Sequence, residues 1–303
     1  MHYSIDNPYP SKHTVDMNRM NTARRAQVIR CLIEGCSINS TVRMTGAAKH
    51  TVLKLLVELG EACADFLNET MVNLHCERIQ VDEIWQFVGC KQKQVTLEKI
   101  ERDGICGDVW TWTAIDADTK LIPCWMIGQR DPGAARDFML DLAGRLAGRV
   151  QLTSDGLKFY RQAVKAAFGQ DVDYAQLVKI YGEIDTEGQR RYSPAKCIGC
   201  EIKTVVGDPD PDHISTSYIE RHNLTVRMSN RRFTRLTNGF SKKVENHAAQ
   251  IAIFMVVYNF SRKHMTLGTT PAVKAGIAGH IWSIEEIVGL LEKREQAENG
   301  VAA

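Results

Sequence analysis

The order of predicted strands and helices between residues 78 and 181 constrains the fold of this 303-residue chain more than any other feature. Short runs rich in β-branched and aromatic residues, bounded by turn residues, predict strands. The strands cover residues 78–88, 109–116, 121–127, 150–153 and 173–181, and helices are predicted over 131–146 and from Gly156 through Phe168. Three strands, a helix, a strand, a helix and a strand predict a mixed sheet flanked by helices.

The segment from Asn21 to Leu67 has the apolar spacing of helices. Gly35 ends a first helix, Ser37 is a suitable N-cap for a second, and Thr45-Gly46 makes a turn before a third. This pattern matches a helix-turn-helix, and a small helical bundle without a DNA role fits it equally well. The third helix of a helix-turn-helix reads DNA, and its early residues suited to that contact are Lys49, His50 and Thr51.

The chain after residue 181 is predicted to be loop followed by helix. Residues 182–216 contain several glycines and prolines and are predicted to form a loop. Three helices follow: residues 218–228 with Ser217 as N-cap, Lys243–Lys263, and a short helix from the capping box Ser283-x-x-Glu286 to near Glu292. Residues 294–303 are expected to be a frayed tail.

The net charge of +2 conceals an uneven distribution. From Arg221 to Lys263 there are nine basic residues and one acid, Glu245, which gives this segment a net charge of +8 and leaves −6 for the rest. So basic a segment within a near-neutral chain indicates an anionic partner. A solvated basic surface without a partner is the alternative explanation.

The nine cysteines and the absence of long apolar runs predict a cytoplasmic protein. The cysteine count is odd, and Met1–Pro10 lacks the apolar core of a signal peptide. The longest apolar run, Ile251–Tyr258, is far shorter than the ~20 residues that cross a bilayer. We therefore expect mostly free thiols and no membrane partner.

A closely spaced cysteine pair occurs at Cys197-x-x-Cys200. A structural zinc site normally needs four ligands. His213 is a conceivable third ligand, but no fourth is evident in the sequence. Zinc is therefore not predicted.

Three acidic residues stand out by their positions. Asp82 lies in the middle of the first predicted strand, where a carboxylate is energetically costly. Asp155 directly follows the fourth strand, and Glu220 lies in a helix. Each has a structural explanation of its own: an edge-strand charge, a turn former and a first-turn helix acid, respectively. Their common order is more informative, because strand acid, post-strand acid and helix acid is the order of RNase H-like polynucleotidyl transferases.

Three carboxylates suit a site for two Mg²⁺ ions about 3.5–4 Å apart, because such ions need hard, anionic oxygen ligands. Asp82 would bridge both ions, and Asp155 and Glu220 would each complete one. Asn223 follows Glu220 by about one helical turn and would face the same side. His222, next to these residues, is a candidate phosphate contact that can equally face away.

The sequence resembles the DDE transposases of the insertion-sequence-one type over residues 78 to 270. The residues that carry the resemblance are Val81-Asp82-Glu83-Ile84-Trp85-Gln86-Phe87-Val88, Leu152-Thr153-Ser154-Asp155-Gly156 with Tyr160, and Tyr218-Ile219-Glu220-Arg221-His222-Asn223-Leu224 with Arg227. The resemblance implies that Asp82, Asp155 and Glu220 are the catalytic triad and the metal ligands. The family often has a zinc-binding element near the N-terminus, for which this sequence has no pattern.

The resemblance also implies an activity and partners. The protein would bind the terminal inverted repeats of an insertion sequence, hydrolyse phosphodiester bonds and join 3′-hydroxyl ends to target double-stranded DNA. It would use two Mg²⁺ ions, with Mn²⁺ as a substitute, and act as a homo-oligomer on nucleoid DNA. The residues of the basic segment expected to contact DNA are Arg221, Arg227, Arg231, Arg232, Arg235, Lys242 and Lys243.

These inferences give a domain plan and two alternatives. The plan is a flexible arm over 1–20, an all-α helix-turn-helix domain over 21–70, an RNase H-like catalytic domain over 78–270 with a loop-rich insertion at 182–216, and a C-terminal helix and tail over 271–303. An RNase H-like nuclease without strand transfer is one alternative. A DNA-binding helix-turn-helix regulator without catalysis is the other.

Overall fold

The computed structural model describes residues 20–182, 197–234 and 237–301. Within them, a six-stranded sheet has the strand order β3-β2-β1-β4-β5-β6. The strands are β1 Arg78–Val88, β2 Gly107–Asp116, β3 Trp125–Gly128, β4 Val150–Ser154, β5 Val172–Tyr181 and β6 Cys197–Val206. The expected arm, part of the expected insertion, Arg235 and the last two residues lie outside the described residues.

The sheet is mixed, as the sequence predicts. β4 pairs in parallel with both β1 and β5, whereas β2 pairs with β3, and β5 with β6, in antiparallel fashion. The parallel pairs require crossover connections, which the helices supply. The strands β1 and β4 each have a neighbouring strand on both sides and form the centre of the sheet.

The described helices lie before, between and after the strands. They are α1 Thr22–Ile33, α2 Ile38–Thr45, α3 Lys49–Thr70, α4 Leu97–Asp103, α5 Pro132–Arg145, α6 Lys158–Phe168, α7 Ser217–Ser229, α8 Val244–Val256, α9 Pro271–Lys274 and α10 Ile284–Val301. Among these described helices, none combines the length and the apolar character needed to cross a bilayer.

The chain divides into two compact units. The sheet unit comprises Met71–Ile84 and Trp110–Asn223. The helical unit takes its described residues from Met1–Thr70, Trp85–Val109 and Leu224–Ala303. Since both units combine distant chain segments, they do not follow the linear domain plan, whose functional boundaries remain predictions.

The core of the sheet unit forms between the sheet and the helices α5 and α6. Trp112 of β2 is fully buried, and its ring centroid lies 6.0 Å from that of Phe138 in α5 and 5.6 Å from that of Tyr160 in α6. Asp131 caps α5 by accepting a hydrogen bond from the backbone N–H of Ala134 at 2.8 Å. A side-chain cap followed by Pro132 fixes where this helix begins.

The helical unit is built on a close approach between α3 and α8. A Cβ atom at Gly60 would lie 2.3 Å from the Cβ of Ala249, far inside van der Waals contact. Only glycine therefore permits the observed spacing of the two helices. The sequence predicts the three N-terminal helices, but α3 continues to Thr70 and packs along α8 within this unit.

Two predicted N-terminal helix caps are confirmed. Ser37 accepts a hydrogen bond from the backbone N–H of Ser40 at 3.0 Å and caps α2. Ser283 and Glu286 form the expected capping box, with the Ser283 N–H donating to the Glu286 carboxylate at 2.7 Å. These features depend on neighbouring residues alone, which is why the sequence reveals them.

Other predictions are wrong in part. The predicted loop over 182–216 contains β6, because pairing with β5 stabilises a strand despite its glycine and cysteines. The helix predicted over Lys243–Lys263 ends as a π-helical turn at Val257–Ser261. Residues 294–301 continue α10 rather than fraying, and α4 was not predicted.

Substituting Gly60 should test the contact between α3 and α8. We expect Gly60→Ala to lower the free energy of unfolding by about 1–3 kcal/mol, because the added methyl group must displace Ala249. The matched control is Gly289→Ala in α10, where a Cβ meets no atom within 4 Å. That variant should gain about 0.5–1 kcal/mol from helix propensity. Denaturant unfolding measures both, and an unchanged or more stable Gly60→Ala protein would contradict the close contact.

Candidate active site

The parallel register of β1 and β4 brings two of the predicted acids together. Val81 is the register partner of Ser154. Asp82 directly follows Val81, and Asp155 directly follows Ser154. Because the two strands are parallel, the two acids occupy adjacent positions on neighbouring strands. The carboxyl ends of parallel strands are where sheets of this type form active sites.

The buried side chain of Gln80 fixes the beginning of α7. Its Oε1 accepts hydrogen bonds from the backbone N–H groups of Tyr218 at 2.9 Å and Ile219 at 3.1 Å. These N–H groups belong to the first turn of a helix and have no intrahelical partner. Gln80 thereby anchors the segment that carries Glu220 to the strand that carries Asp82. The sequence analysis did not identify this residue.

Asn223 contacts the first acid directly. Its Nδ2 donates a hydrogen bond to Asp82 Oδ2 at 2.7 Å, while the other oxygen of Asp82 accepts from the backbone N–H of Glu83 at 2.9 Å. The sequence predicts that Asn223 lies on the same side of the helix as Glu220 and therefore near the acids. The hydrogen bond shows that the acid it contacts is Asp82. Asn223 Oδ1 is buried and has no hydrogen-bond partner among the described residues.

A network of hydrogen bonds holds the turn that carries Asp155. Its Oδ1 accepts from the backbone N–H of Leu157 at 2.9 Å. Its backbone carbonyl accepts from Ser154 Oγ at 2.9 Å and from Gln176 Nε2 at 3.0 Å. Arg161 in turn donates to Gln176 Oε1 at 2.6 Å. The backbone of this turn is therefore fixed, and the Asp155 carboxylate is held through its Oδ1.

Glu83 is an acid of this site that the sequence analysis did not select. Its carboxylate accepts hydrogen bonds from Arg130 Nε at 2.7 Å and from Tyr160 Oη at 3.0 Å. Strand alternation would place the side chains of Asp82 and Glu83 on opposite faces of β1. Yet one oxygen from each of Asp82, Glu83 and Asp155 lies within 4.8 Å of the others.

Glu220 lies in the same unit but has different partners. Both of its carboxylate oxygens contact Lys179 Nζ of β5, and Oε1 also accepts a hydrogen bond from Thr216 Oγ1 at 2.6 Å. Its side chain is 43% exposed. The burial of Lys179 lowers the pKa of its ammonium group, but the hydrogen bond and charge of Glu220 outweigh this and raise that pKa overall.

All three predicted acids line one open cleft of the sheet unit. The cleft has a volume of about 550 Å³. Its charged lining residues are Asp82, Asp155, Glu220, Arg130, Lys158 and Lys179. The structure thus brings the predicted triad to one place from a strand, a post-strand turn and a helix.

The proximity of the acids makes their ionisation costly. Burial, followed by the charges of Glu83 and Asp155, raises the pKa of Asp82 to about 7. Burial and the charge of Asp155 also raise the pKa of Glu83, against the lowering effect of Arg130. Carboxylates that repel one another and offer hard oxygen atoms are suited to bind a divalent cation, which would offset the repulsion.

The other predicted contact residues lie in several environments. Within the sheet unit, His222 is buried and Arg221 is exposed. In the helical unit, Lys49 and His50 are exposed at the first turn of α3, with Thr51 partly buried. The predicted DNA contacts of the basic segment that are described in that unit are Arg227, Arg231 and Arg232, all partly exposed, and the exposed Lys242 and Lys243.

Arg232 is largely enclosed within the helical unit, contrary to what an exposed DNA contact requires. Burial lowers the pKa of its guanidinium to about 10. Its Nη1 donates to Ser241 Oγ at 3.0 Å, and its backbone carbonyl accepts a hydrogen bond from Gln86. Burial and the charge of Arg232 together lower the pKa of His247 to about 3. Its predicted role in DNA binding remains untested, and in this conformation the side chain is a packing element.

Cys197 and Cys200 are exposed thiols of β6 in the sheet unit. Cys200 is the register partner of Lys179. His213, the conceivable third zinc ligand, instead shares a hydrogen bond of 2.7 Å between its Nδ1 and Arg78 Nη1.

No model of a known protein family and no curated protein matches this chain. Among solved structures, it is similar to the chain in a cryo-EM structure of a piggyBac transposase synaptic complex with hairpin DNA. The two share 9% sequence identity with a TM-score of 0.40, over 90% of this chain and 72% of that chain. A similarity of this size assigns neither a family nor a function.

The pH dependence of stability tests the repulsion among the acids. A carboxyl whose pKa is raised from 3.8 to about 7 on folding stabilises the fold when protonated, and this contribution is lost as the pH rises through that window. We therefore expect Asp82→Asn to be more stable than the wild type at pH 8, on the order of 1–3 kcal/mol. The gain should shrink towards pH 4.

The measurement is denaturant unfolding from pH 4 to pH 8. The exposed Asp208→Asn substitution in the same unit is the control and should change stability by less than about 0.5 kcal/mol at every pH. An Asp82→Asn protein that is less stable than the wild type at pH 8, or whose difference does not depend on pH, would show that the acids are not in conflict.

Proposed function

We propose that this protein is a DDE transposase of the insertion-sequence-one type. The observation that carries the proposal is the convergence of Asp82, Asp155 and Glu220 on one cleft, in the chain order of the family that the sequence resembles. In this proposal they are the catalytic triad. The reaction is phosphodiester hydrolysis at the ends of an insertion sequence, followed by transfer of the 3′-hydroxyl ends to target DNA.

The donor set of the cleft suits divalent cations, for which we propose Mg²⁺ with Mn²⁺ as a substitute. Asp82, Glu83 and Asp155 would hold one ion, since their oxygens lie within 4.8 Å of one another. Glu220 would contribute to a second ion together with Asp82. Bound ions would supply an activated water or 3′-hydroxyl group and stabilise the leaving oxygen.

The other residues of the cleft act by holding the acids in place. Asn223 donates to one oxygen of Asp82 and the backbone N–H of Glu83 donates to the other, which fixes the orientation of this carboxylate. Arg130 from the loop before α5 and Tyr160 from α6 each donate to one oxygen of Glu83 and so fix this carboxylate as well. Hydrogen-bonded carboxylates of fixed orientation bind a cation without first losing side-chain entropy. His222, which is buried, would support the same segment rather than contact phosphate.

DNA binding is assigned in this proposal to two regions of the helical unit. The exposed first turn of α3, with Lys49, His50 and Thr51, would read the terminal repeats as the recognition helix of a helix-turn-helix. The exposed or partly exposed basic residues Arg227, Arg231, Lys242 and Lys243 would contact the phosphate backbone. Because two ends must be joined in one complex, we propose a homo-oligomer in the synaptic complex.

Replacing Asp155 should separate chemistry from DNA binding. We expect Asp155→Asn to lower strand cleavage by at least about 10³-fold, because a neutral amide is a poor ligand for a divalent cation. Binding of terminal-repeat DNA, measured by fluorescence anisotropy in Ca²⁺, should stay within about two-fold of the wild type. An equal loss of binding and cleavage would mean that Asp155 is structural.

The products of the same assay distinguish the alternatives. Terminal-repeat DNA and a target plasmid are incubated with Mg²⁺, and cleaved and joined products are counted. Joined products from the wild type support a transposase. Cleavage without joining supports an RNase H-like nuclease, and binding without any cleavage supports a helix-turn-helix regulator.

A further inference from the structure

The third acid of the proposed triad, Glu220, is paired with a lysine. The acids whose oxygens lie within 4.8 Å of one another are Asp82, Glu83 and Asp155, and Glu220 is not in this group. Instead, the Lys179 ammonium contacts both carboxylate oxygens of Glu220. The Glu220 carboxylate therefore already has a cation as its partner in the described conformation.

One ammonium group occupies both oxygens of Glu220 and leaves neither for a metal ion, whereas the cation Arg130 contacts only Oε1 of Glu83. A divalent cation and an ammonium group would compete for the same two oxygens, and their like charges repel one another. Thr216 takes a further position on Oε1. A metal ion can use Glu220 as a full ligand only when the ammonium group has moved away.

We propose that Lys179 is a positioning residue that occupies the place of a divalent cation on Glu220 and must be displaced when that cation binds. This inference rests on the proposed function, since it presumes that Glu220 is a metal ligand. It adds an order of binding: Asp82, Glu83 and Asp155 take up the first ion, and the half of the site with Glu220 takes up the second, more weakly.

The surroundings of Lys179 permit this exchange without a change of the backbone. Lys179 lies in β5, where it is paired with Cys200 of β6. Its side chain is 29% exposed and lines the cleft of about 550 Å³, so the ammonium group can swing into solvent. A flexible four-carbon side chain with a compact charge is suited to such movement. Arginine would hold both oxygens of Glu220 in a fixed bidentate pair and release them less readily.

Manganese binding to the full-length protein without DNA tests the proposal. Free Mn²⁺ is counted by electron paramagnetic resonance during a titration. We expect Lys179→Met to bind the second Mn²⁺ about five-fold more tightly than the wild type, a change of the size that removal of a partly exposed ion pair produces. The first binding event should change less than two-fold, because Lys179 does not contact that group of acids.

Three further variants isolate the contact with Glu220. Lys158→Met removes one positive charge from the lining of the same cleft. It should leave the affinity for the second Mn²⁺ within about two-fold of that of the wild type. Lys179→Arg keeps the ion pair and should bind the second ion no more tightly than the wild type. In a Glu220→Gln background, Lys179→Met should have no effect, because the competition acts only through Glu220.

The outcomes separate this inference from the proposed function. If Lys179→Met and Lys158→Met tighten binding of the second Mn²⁺ equally, the effect is one of general electrostatics. That result would overturn this inference but not the proposed function. Unchanged or weaker binding by a Lys179→Met protein that unfolds like the wild type would overturn it as well. If the wild type and every variant bind no Mn²⁺, the proposed metal chemistry fails and the inference falls with it.

Discussion

The parallel pairing of β1 with β4 determines most of the candidate site. Because Val81 lies opposite Ser154, Asp82 and the first residue after β4 are neighbours. A shift of one residue in this register would turn every side chain of β1 to the other face and separate the acids. The same strand carries Gln80, whose side chain anchors the beginning of α7 and with it Glu220. One strand register thus places the acids that the sequence spreads over 139 residues.

Bringing these carboxylates together costs stability, and the surrounding polar groups reduce the cost. Arg130 and Tyr160 donate to Glu83, Asn223 donates to Asp82, and Lys179 neutralises Glu220. The remaining cost falls on Asp82, because burial, followed by the charges of Glu83 and Asp155, raises its pKa to about 7. Strain of this kind is common where binding of a ligand relieves it, since structures retain unfavourable contacts mainly at functional sites. Binding of a cation at these acids would then stabilise the folded protein.

Sequence reasoning predicted the features that depend on local pattern. The alternation of apolar residues revealed β1, and its interruption revealed Asp82; the end of β4 revealed Asp155. Contacts between distant residues had no such signal. The contacts of Glu83 with Arg130 and of Lys179 with Glu220 join residues 47 and 41 positions apart, so no local pattern indicates them. The contact of Gly60 with α8 and the pairing of β6 likewise depend on tertiary packing that no single segment encodes.

The central claim is that Asp82, Glu83 and Asp155 form the binding site of a divalent cation. The most direct measurement is a crystal structure of the protein grown with Mn²⁺, with diffraction data collected at the manganese absorption edge. The account predicts an anomalous peak about 2.0–2.6 Å from carboxylate oxygens of Asp82 and Asp155. Well-ordered side chains at these positions without a peak between them, or manganese bound only elsewhere on the chain, would contradict it.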